Sequence, residues 1–220
     1  MFQYVLFDLD GTLTDPKTGI TSCVQYALAG AGIEEPDLDK LEPFIGPPLT
    51  DSFREFYGFD DEQIKRAIDK YHERFDEKGI FENELIEGIP ELLKALKDAG
   101  RRVSIASSKP RPLVIRILEH FEIAQYFDTV VGSEFDGRFA TKEAVVEEAL
   151  KQLVPSVYEK EDVAMVGDRK FDIQGARAHG LTGIGVSFGY AGEHELEDAG
   201  ADYIVDTVEE LQRLLLQGSL

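Results

Sequence analysis

Six short apolar runs, residues 3–7, 103–106, 129–132, 163–166, 182–187 and 203–205, recur along the 220-residue chain with little polar alternation. A strand with one solvated face alternates apolar and polar residues, whereas a strand covered on both faces reads as a continuous apolar run. These segments therefore predict a parallel sheet sandwiched between helices. Between them the apolar spacing becomes helical. Leu92, Leu93, Leu96 and Ala99 lead into Gly100, a helix stop; Val114, Ile117, Leu118 and Phe121 repeat the pattern, as do Val145, Val146, Ala149, Leu150 and Leu153. Such alternation predicts an α/β fold with a doubly wound, Rossmann-like parallel sheet, whose site lies at the carboxyl ends of the strands. The interval 16–84 breaks the rhythm: Ile64, Ile68, Tyr71 and Phe75 stripe one helix, LTDSFREFYG suggests another, and no convincing strand lies between. The expected division is an α/β core from residues 1–15 and 85–220, with a helical domain, 16–84, inserted after the first strand.

The first strand ends abruptly. In YVLFDLDGTLTD, residues 4–15, the apolar run stops at Asp8 and is followed by Asp10 and Asp15. Asp8 and Asp10, two residues apart on a segment leaving a strand, can face the same way; an isolated DxDG is equally an acidic turn with Thr12 as a local cap. In VAMVGDRKFDI a second apolar strand ends at Gly167, Asp168 follows, and Asp172 lies four residues on. On a helix those two would be repelling neighbours unless a cation joined them. Alternatively both merely favour a helix amino terminus, each contributing well under ~1 kcal/mol. Magnesium takes a few carboxylate oxygens and completes its octahedron with waters and phosphate oxygens, so carboxylates from two strand ends suit it.

Between these clusters VSIASSKP ends another strand with Ser107, Ser108 and Lys109. Hydroxyls and N–H groups there can hold a phosphate oxygen if a helix starts near Pro110; serines in that place also make ordinary turns. Lys142, in FATKEAV, falls in the first turn of a helix capped by Thr141, where the helix dipole disfavours a cation. A nearby phosphate or carboxylate would compensate; a solvated surface lysine is the alternative.

The chain carries 43 Asp and Glu against 23 Lys and Arg, a formal charge of −20 at pH 7. Nucleic acids and anionic membranes are held by basic patches, so neither is an expected partner. A small anion would be repelled too, unless a bound cation and local basic side chains reverse the sign in one cleft. No apolar stretch approaches the roughly 20 residues that span a bilayer, and FQYVLF lacks a basic leader and a small-residue cleavage site. The single cysteine, Cys23, can form no internal disulfide. A cytoplasmic protein, monomer or homodimer, is expected. His72, His120, His179 and His194 have no metal-ligand spacing, HELE at 194–197 is not HExxH, and the glycines of GIGVSFGYAG at 183–192 suggest a turn near the site rather than a dinucleotide site.

DLDGTLTD, ASSK, Lys142 and GDRKFD stand in the order and contexts of the haloacid dehalogenase-like superfamily, whose phosphatase branch the chain resembles over essentially its whole length. The insertion after the first motif is similar to the helical cap of the phosphoglycolate phosphatase-like group. The resemblance implies a Mg2+-dependent phosphatase that hydrolyses small phosphorylated metabolites through an aspartyl phosphate. It makes Asp8 the nucleophile and Asp10 the general acid and base; it gives the metal to Asp8, the backbone carbonyl of Asp10, Asp168 and Asp172, and the transferring phosphoryl oxygens to Ser107 and Lys142. The second motif reads Ser107-Ser108-Lys109 where the group commonly has Thr-Asn-Lys, and Lys142 lacks the usual Lys-Pro-x-Pro context, which leaves Lys109 as a rival phosphate ligand.

Selectivity is expected of the insertion. Ile45, Gly46 and Pro47 belong to FIGPP at 44–48, a loop expected to descend over the site, and Arg54 could reach a substrate anion or lie on a solvated helix face. The overall likeness suggests 2-phosphoglycolate, while FIGPPL and the Ser-Ser motif also resemble 5′-nucleotidases, so a nucleoside monophosphate competes. A sugar phosphomutase would need a cap that excludes water between steps. Outside enzymes, a phospho-receiver domain shares an acidic Mg2+ pocket but is opposed by Asp10 and the large insertion.

Overall fold

Through the computed structural model, which describes residues 2–154 and 157–218, the chain runs β1 (Tyr4–Phe7), β2 (Thr14–Asp15), α1 (Lys17–Gly30), α2 (Leu49–Tyr57), α3 (Asp61–Phe75), β3 (Glu84–Leu85), α4 (Ile89–Asp98), β4 (Arg102–Pro110) and α5 (Arg111–His120). It continues with β5 (Thr129–Ser133), α6 (Lys142–Leu153), β6 (Val163–Gly167), α7 (Lys170–Ala178), β7 (Thr182–Val186), α8 (Glu195–Ala199), β8 (Tyr203–Val205) and α9 (Val208–Gln217). Two units result, Met1–Thr14 with Leu85–Leu220 and Asp15–Glu84.

The larger unit is built on a six-stranded sheet of order β5-β4-β1-β6-β7-β8, every neighbouring pair parallel. Val5, Leu6 and Phe7 of β1 and Val163, Ala164, Met165 and Val166 of β6 have no exposed surface, which is why their sequences do not alternate. Leu6, Ala106, Val131 and Met165 pack with Val145, Val146, Ala149, Leu150 and Leu153 of α6 and Ala176 of α7 in one apolar cluster, each fully buried aliphatic side chain stabilising by about 1.5–3 kcal/mol relative to exposure. From β1 the chain works outward through β4 and β5, returns by α6 to β6 on the other side of β1, and works outward again through β7 and β8. The winding reverses between β1 and β6, the switch point at whose strand carboxyl ends open α/β sheets place their sites. The apolar runs mark all six strands. Only β4 greatly overruns its expected 103–106, reaching Pro110 with a register shift between Ser107 and Pro110; the polar residues Ser107, Ser108 and Lys109 hide that continuation.

In the smaller unit α1 packs on α3. A reciprocal cap starts α3: Asp60 Oδ1 accepts from Gln63 N and Gln63 Oε1 from Asp60 N, both at 2.9 Å. Its inner face is Ile64, Ala67, Tyr71 and Phe75, so Ala67 takes the place expected for Ile68, which is half-buried. Phe44 meets Phe53 edge-on at 5.0 Å between ring centroids and Phe53 stacks on Phe59 at 5.7 Å; these rings anchor the first residue of FIGPP to the chain that follows it. Among the described residues no helix is long and apolar enough to cross a membrane.

Candidate active site

Asp8 leaves β1 with its N–H still bonded to Val166 O of β6 at 2.9 Å, so the sheet itself fixes its backbone. Beyond it the carbonyl of Leu9 accepts from Thr12 N, Leu13 N and Thr14 N at 3.3, 2.9 and 3.1 Å, and Gly11 N reaches Thr14 O at 2.7 Å. Gly11 stands at φ 81°, and a Cβ there would lie 2.2 Å from Asp168 Oδ2. The glycine of DLDG therefore serves the turn and also leaves room for the second aspartate cluster.

Asp168 precedes α7 rather than lying in it, and Asp172, in the first turn of α7, accepts from Arg169 N at 3.0 Å through Oδ2. The repulsion expected between i and i+4 neighbours on one helix is thus replaced by a meeting across a turn. Carboxylate oxygens of Asp8, Asp168 and Asp172, all buried, lie within 4.8 Å of one another. Lys142 Nζ is 2.8 Å from Oδ1 of Asp8 and 2.8 Å from Oδ1 of Asp172, and donates to Ala106 O at 3.0 Å. Its place in the first turn of α6, capped by Thr141, is thereby offset by two carboxylates.

Three buried carboxylates, two of them paired with one lysine, leave uncompensated negative charge. Burial, then Asp172 and Asp8, push Asp168 well above the usual carboxylate range. Burial pushes Asp172 up to about 6, with Lys142 pulling the other way and Asp8 adding to the rise. For Lys142 burial acts downward, but Asp172 and Asp8 outweigh it and hold the ammonium above the ordinary lysine value. Among the described residues, Oδ1 of Asp8 and Oδ1 of Asp172 are buried and accept no directed hydrogen bond, their contact with Lys142 being ionic. An all-carboxylate set with oxygens left over fits a hard divalent cation such as Mg2+.

On the other side of β1, Ser107 Oγ, buried at the end of β4, accepts from Lys109 N at 3.3 Å, and the carbonyl of Ser108 accepts from Ser133 Oγ at 2.8 Å. Lys109 Nζ is ion-paired with Asp10 Oδ2, both side chains largely buried. The two lysines that the sequence leaves as rivals thus have different partners: Lys142 faces Asp8 and Asp172, Lys109 faces Asp10. The Asp10 carboxylate stands outside the acidic triad. In the smaller unit Ile45 is fully buried, Gly46 has φ 103° and Pro47 is half-buried; Arg54 is exposed and paired with Asp61 at 2.7 Å.

A family model described as haloacid dehalogenase-like hydrolase matches residues 5–186. The chain belongs to this family. A 5′-nucleotidase of Pseudomonas aeruginosa is 45% identical over 196 residues, 89% of this chain and 87% of that protein. A protein named tyrosine-protein kinase PtkA, from Mycobacterium tuberculosis, is 38% identical over 216 residues, 97% of this chain and 72% of that protein. The crystal structure of a predicted phosphatase from Clostridium acetobutylicum superposes with a TM-score of 0.92 at 46% identity, covering 99% of each chain. This haloacid dehalogenase-like protein is a phosphoric monoester hydrolase.

The sequence reading takes Thr12 only as a local cap and expects a turn near the site from GIGVSFGYAG, but it assigns no contact with the hydrolase's acidic cluster to Thr12, Tyr190 or Glu195. Tyr190 N donates to Asp168 Oδ2 at 2.8 Å, and Thr12 Oγ1 makes a long contact of 3.5 Å with Asp168 Oδ1. The GIGVSFGYAG turn therefore does meet the cluster, through its backbone. Glu195, from HELE, accepts from Arg169 Nε and Lys170 N, each at 2.9 Å, and from Gly192 N at 3.1 Å. Thr12 stands inside a motif and could have been found by its hydroxyl. Tyr190 acts through an N–H that every residue but proline carries, and Glu195 finds two of its partners in a turn 25 and 26 residues away.

Proposed function

We propose that this hydrolase is a Mg2+-dependent phosphomonoesterase for small phosphorylated metabolites, working through an aspartyl phosphate on Asp8. The observation that carries it is the cluster of Asp8, Asp168 and Asp172 within 4.8 Å, joined by Lys142 and accompanied by the Asp10–Lys109 pair. Asp8, Asp168, Asp172 and the backbone carbonyl of Asp10 would hold Mg2+, which when bound neutralises charge on the phosphoryl oxygens and orients them toward the nucleophile.

The chain's own groups then act in two displacements. A carboxylate oxygen of Asp8 attacks phosphorus, the P–O bond to the leaving alcohol breaks, and Asp10, having taken a proton from solvent as Lys109 turns from it, gives that proton to the leaving oxygen. Asp10 next takes a proton from water as the water oxygen attacks phosphorus; the bond to Asp8 breaks and inorganic phosphate departs. Acid–base help of this kind contributes about 10²–10⁴-fold. Ser107 and Lys142 donate to the transferring oxygens, which matters because phosphoryl transfer is governed by positioning and charge stabilisation. Before it turns away, Lys109 holds the Asp10 carboxylate toward the leaving group.

The preferred substrate class is a nucleoside 5′-monophosphate, supported by the 45% identity to a 5′-nucleotidase over most of both chains; phosphoglycolate is the competitor. Selectivity is assigned to the insertion 16–84, through Gly46 and Pro47. A second outcome, transfer from Asp8 to a tyrosine hydroxyl instead of water, is favoured by the 38% identity to a protein named as a tyrosine kinase. A kcat/KM screen over nucleoside monophosphates, phosphoglycolate, sugar phosphates and pyrophosphate with Mg2+ decides. Steady phosphate release, fastest from a nucleoside monophosphate, is expected. One stable phosphorylation per chain, or label passing from ATP to a tyrosine peptide faster than to water, would overturn it.

A further inference from the structure

The carboxylate of Asp168 is shaped by a turn far from it in sequence. Oδ2 accepts from Tyr190 N at 2.8 Å, and the backbone presses so closely that a Cβ at Gly189 would lie 2.3 Å from Asp168 Cβ and 2.5 Å from Gly11 O. Any drift of the 187–192 turn therefore moves Asp168 or frees it. One side chain ties that turn to the start of α7. Glu195, its side chain 15% exposed against 13% for Arg169, accepts from Arg169 Nε and Lys170 N with Oε1 and from Gly192 N with Oε2. Both oxygens are used, Oε1 on the Arg169–Lys170 turn and Oε2 on Gly192. Arg169 and the two backbone N–H groups outweigh burial and keep the Glu195 carboxyl below the usual glutamate range.

We infer that Glu195 is a positioning residue for the metal site: by clamping the Gly189–Gly192 turn to the Arg169–Lys170 turn it holds in place the Asp168 carboxylate, one of the groups that would hold Mg2+. Resting on the Mg2+ site proposed above, it adds a residue outside every motif of the family resemblance. Glu195 itself does not enter the acidic triad, so its effect passes through Asp168. Mg2+ demands near-ideal octahedral geometry at short distances, whereas Ca2+ tolerates irregular, larger coordination. Loosening Asp168 should therefore penalise the smaller ion more. Outer-shell partners of metal ligands typically contribute about 10–100-fold in affinity.

The test is direct calorimetric titration of purified protein with Mg2+ and, separately, with Ca2+, alongside Tm, for the unsubstituted chain, Glu195→Ala, Glu195→Gln and Asp168→Asn. Glu195→Ala should bind Mg2+ about 10–100-fold more weakly and lose distinctly less affinity for Ca2+. Glu195→Gln, whose carbonyl can still accept from Arg169 Nε and Lys170 N but which no longer offers Gly192 N an acceptor, should fall between. Mg2+ affinity in Glu195→Ala equal to that of the unsubstituted chain overturns the inference, and so does an equal loss of Mg2+ and Ca2+ accompanied by a lower Tm, the mark of a merely structural tie. If the unsubstituted chain binds no Mg2+, or Asp168→Asn binds it as well, the metal site fails and Glu195's role fails with it; the first pair of outcomes leaves the metal site standing.

Discussion

Replacing Asp168 by Asn should stabilise the metal-free protein while abolishing its response to Mg2+. Asp168 has no exposed surface, and its oxygens share a 4.8 Å neighbourhood with those of Asp8 and Asp172. Two unit charges at that separation repel by about 3 kcal/mol at an effective dielectric constant of about 20. The full sum over both neighbours is never reached, because a buried carboxyl protonates before it is forced to ionise. Burial and the neighbouring carboxylates raise Asp168, and burial raises Asp172, so protonation relieves part of that repulsion. Asparagine keeps an oxygen for Tyr190 N, so the charge is removed without orphaning that donor. A net gain of about 2 kcal/mol, or about 4–8 °C in Tm for a domain of this size, is expected in chelator. With free Mg2+ at about 100 times its Kd the unsubstituted chain gains about 2.7 kcal/mol and the variant gains almost nothing, so the order of stability closes or inverts.

The pH dependence follows from the same charges. The folded pKa values of Asp168 and Asp172 are raised, so the metal-free native state binds protons more tightly than the unfolded chain. Stability contributed by the protonated groups is complete below the ordinary carboxylate range and is lost as pH rises through about 6 for Asp172, and higher still for Asp168. Asp168→Asn should flatten that decline. Urea denaturation in chelator across this interval measures both effects. A variant less stable than its parent throughout, or one that Mg2+ still stabilises fully, would refute the picture of a buried, cation-seeking triad.

Asp8→Asn should abolish phosphate release while leaving the circular dichroism spectrum and Tm of a folded protein; near-normal turnover would exclude Asp8 as nucleophile. Asp10→Asn should slow release by about 10²–10⁴-fold. Lys142→Met, the opposite in charge to Asp168→Asn, leaves Asp8 and Asp172 without their lysine and should cost about 3–5 kcal/mol in denaturant titrations of the metal-free protein. Chelator should stop turnover and Mg2+ restore it, while Ca2+ binds and fails to support the rate. Gly46→Val, at a position with φ 103°, and Pro47→Ala should change the rank order of kcat/KM among substrates; an unchanged order would remove the FIGPP loop from selection.

What the sequence discloses about this fold is what depends on near neighbours. Val163–Gly167 reads as a strand because its burial on both faces is written into consecutive residues, and Thr141 announces α6 because its hydroxyl meets Ala144 N three residues on. The candidate site is legible as a cluster where a motif concentrates its carboxylates at a strand end, as at Asp8 and Asp168. It is silent where the contact closes across the sheet. Nothing local predicts that Tyr190 N reaches Asp168, or that Glu195 in HELE seizes Arg169. Ala67 replaces Ile68 on the inner face of α3 for the same reason: helical period admits both the i+3 and i+4 positions, and only the packing of α1 chooses.

The division of the two lysines is the instructive case, since the sequence poses the question and only the structure supplies partners. An anionic substrate approaching a chain of charge −20 needs local positive charge, and Lys109 and Lys142 look like its source. Yet Lys109 is taken up by Asp10, and Lys142 by Asp8 and Asp172. Asp8, Asp10 and Asp172 pair with these two lysines and the buried Asp168 lies within the same acidic cluster, so the residues most expected to attract phosphate are already neutralised and the cluster stays negative. Because carboxylates so placed either protonate or recruit a cation, one divalent ion brings the cluster to neutrality. On the proposed function, the lysines would then turn part of their donor capacity toward phosphoryl oxygens. In this arrangement substrate binding is conditional on the metal, which predicts that phosphate or a substrate analogue binds measurably only with Mg2+ present. Equal calorimetric affinity for inorganic phosphate in chelator and in Mg2+ would show that the lysines, not the ion, set the sign of the site.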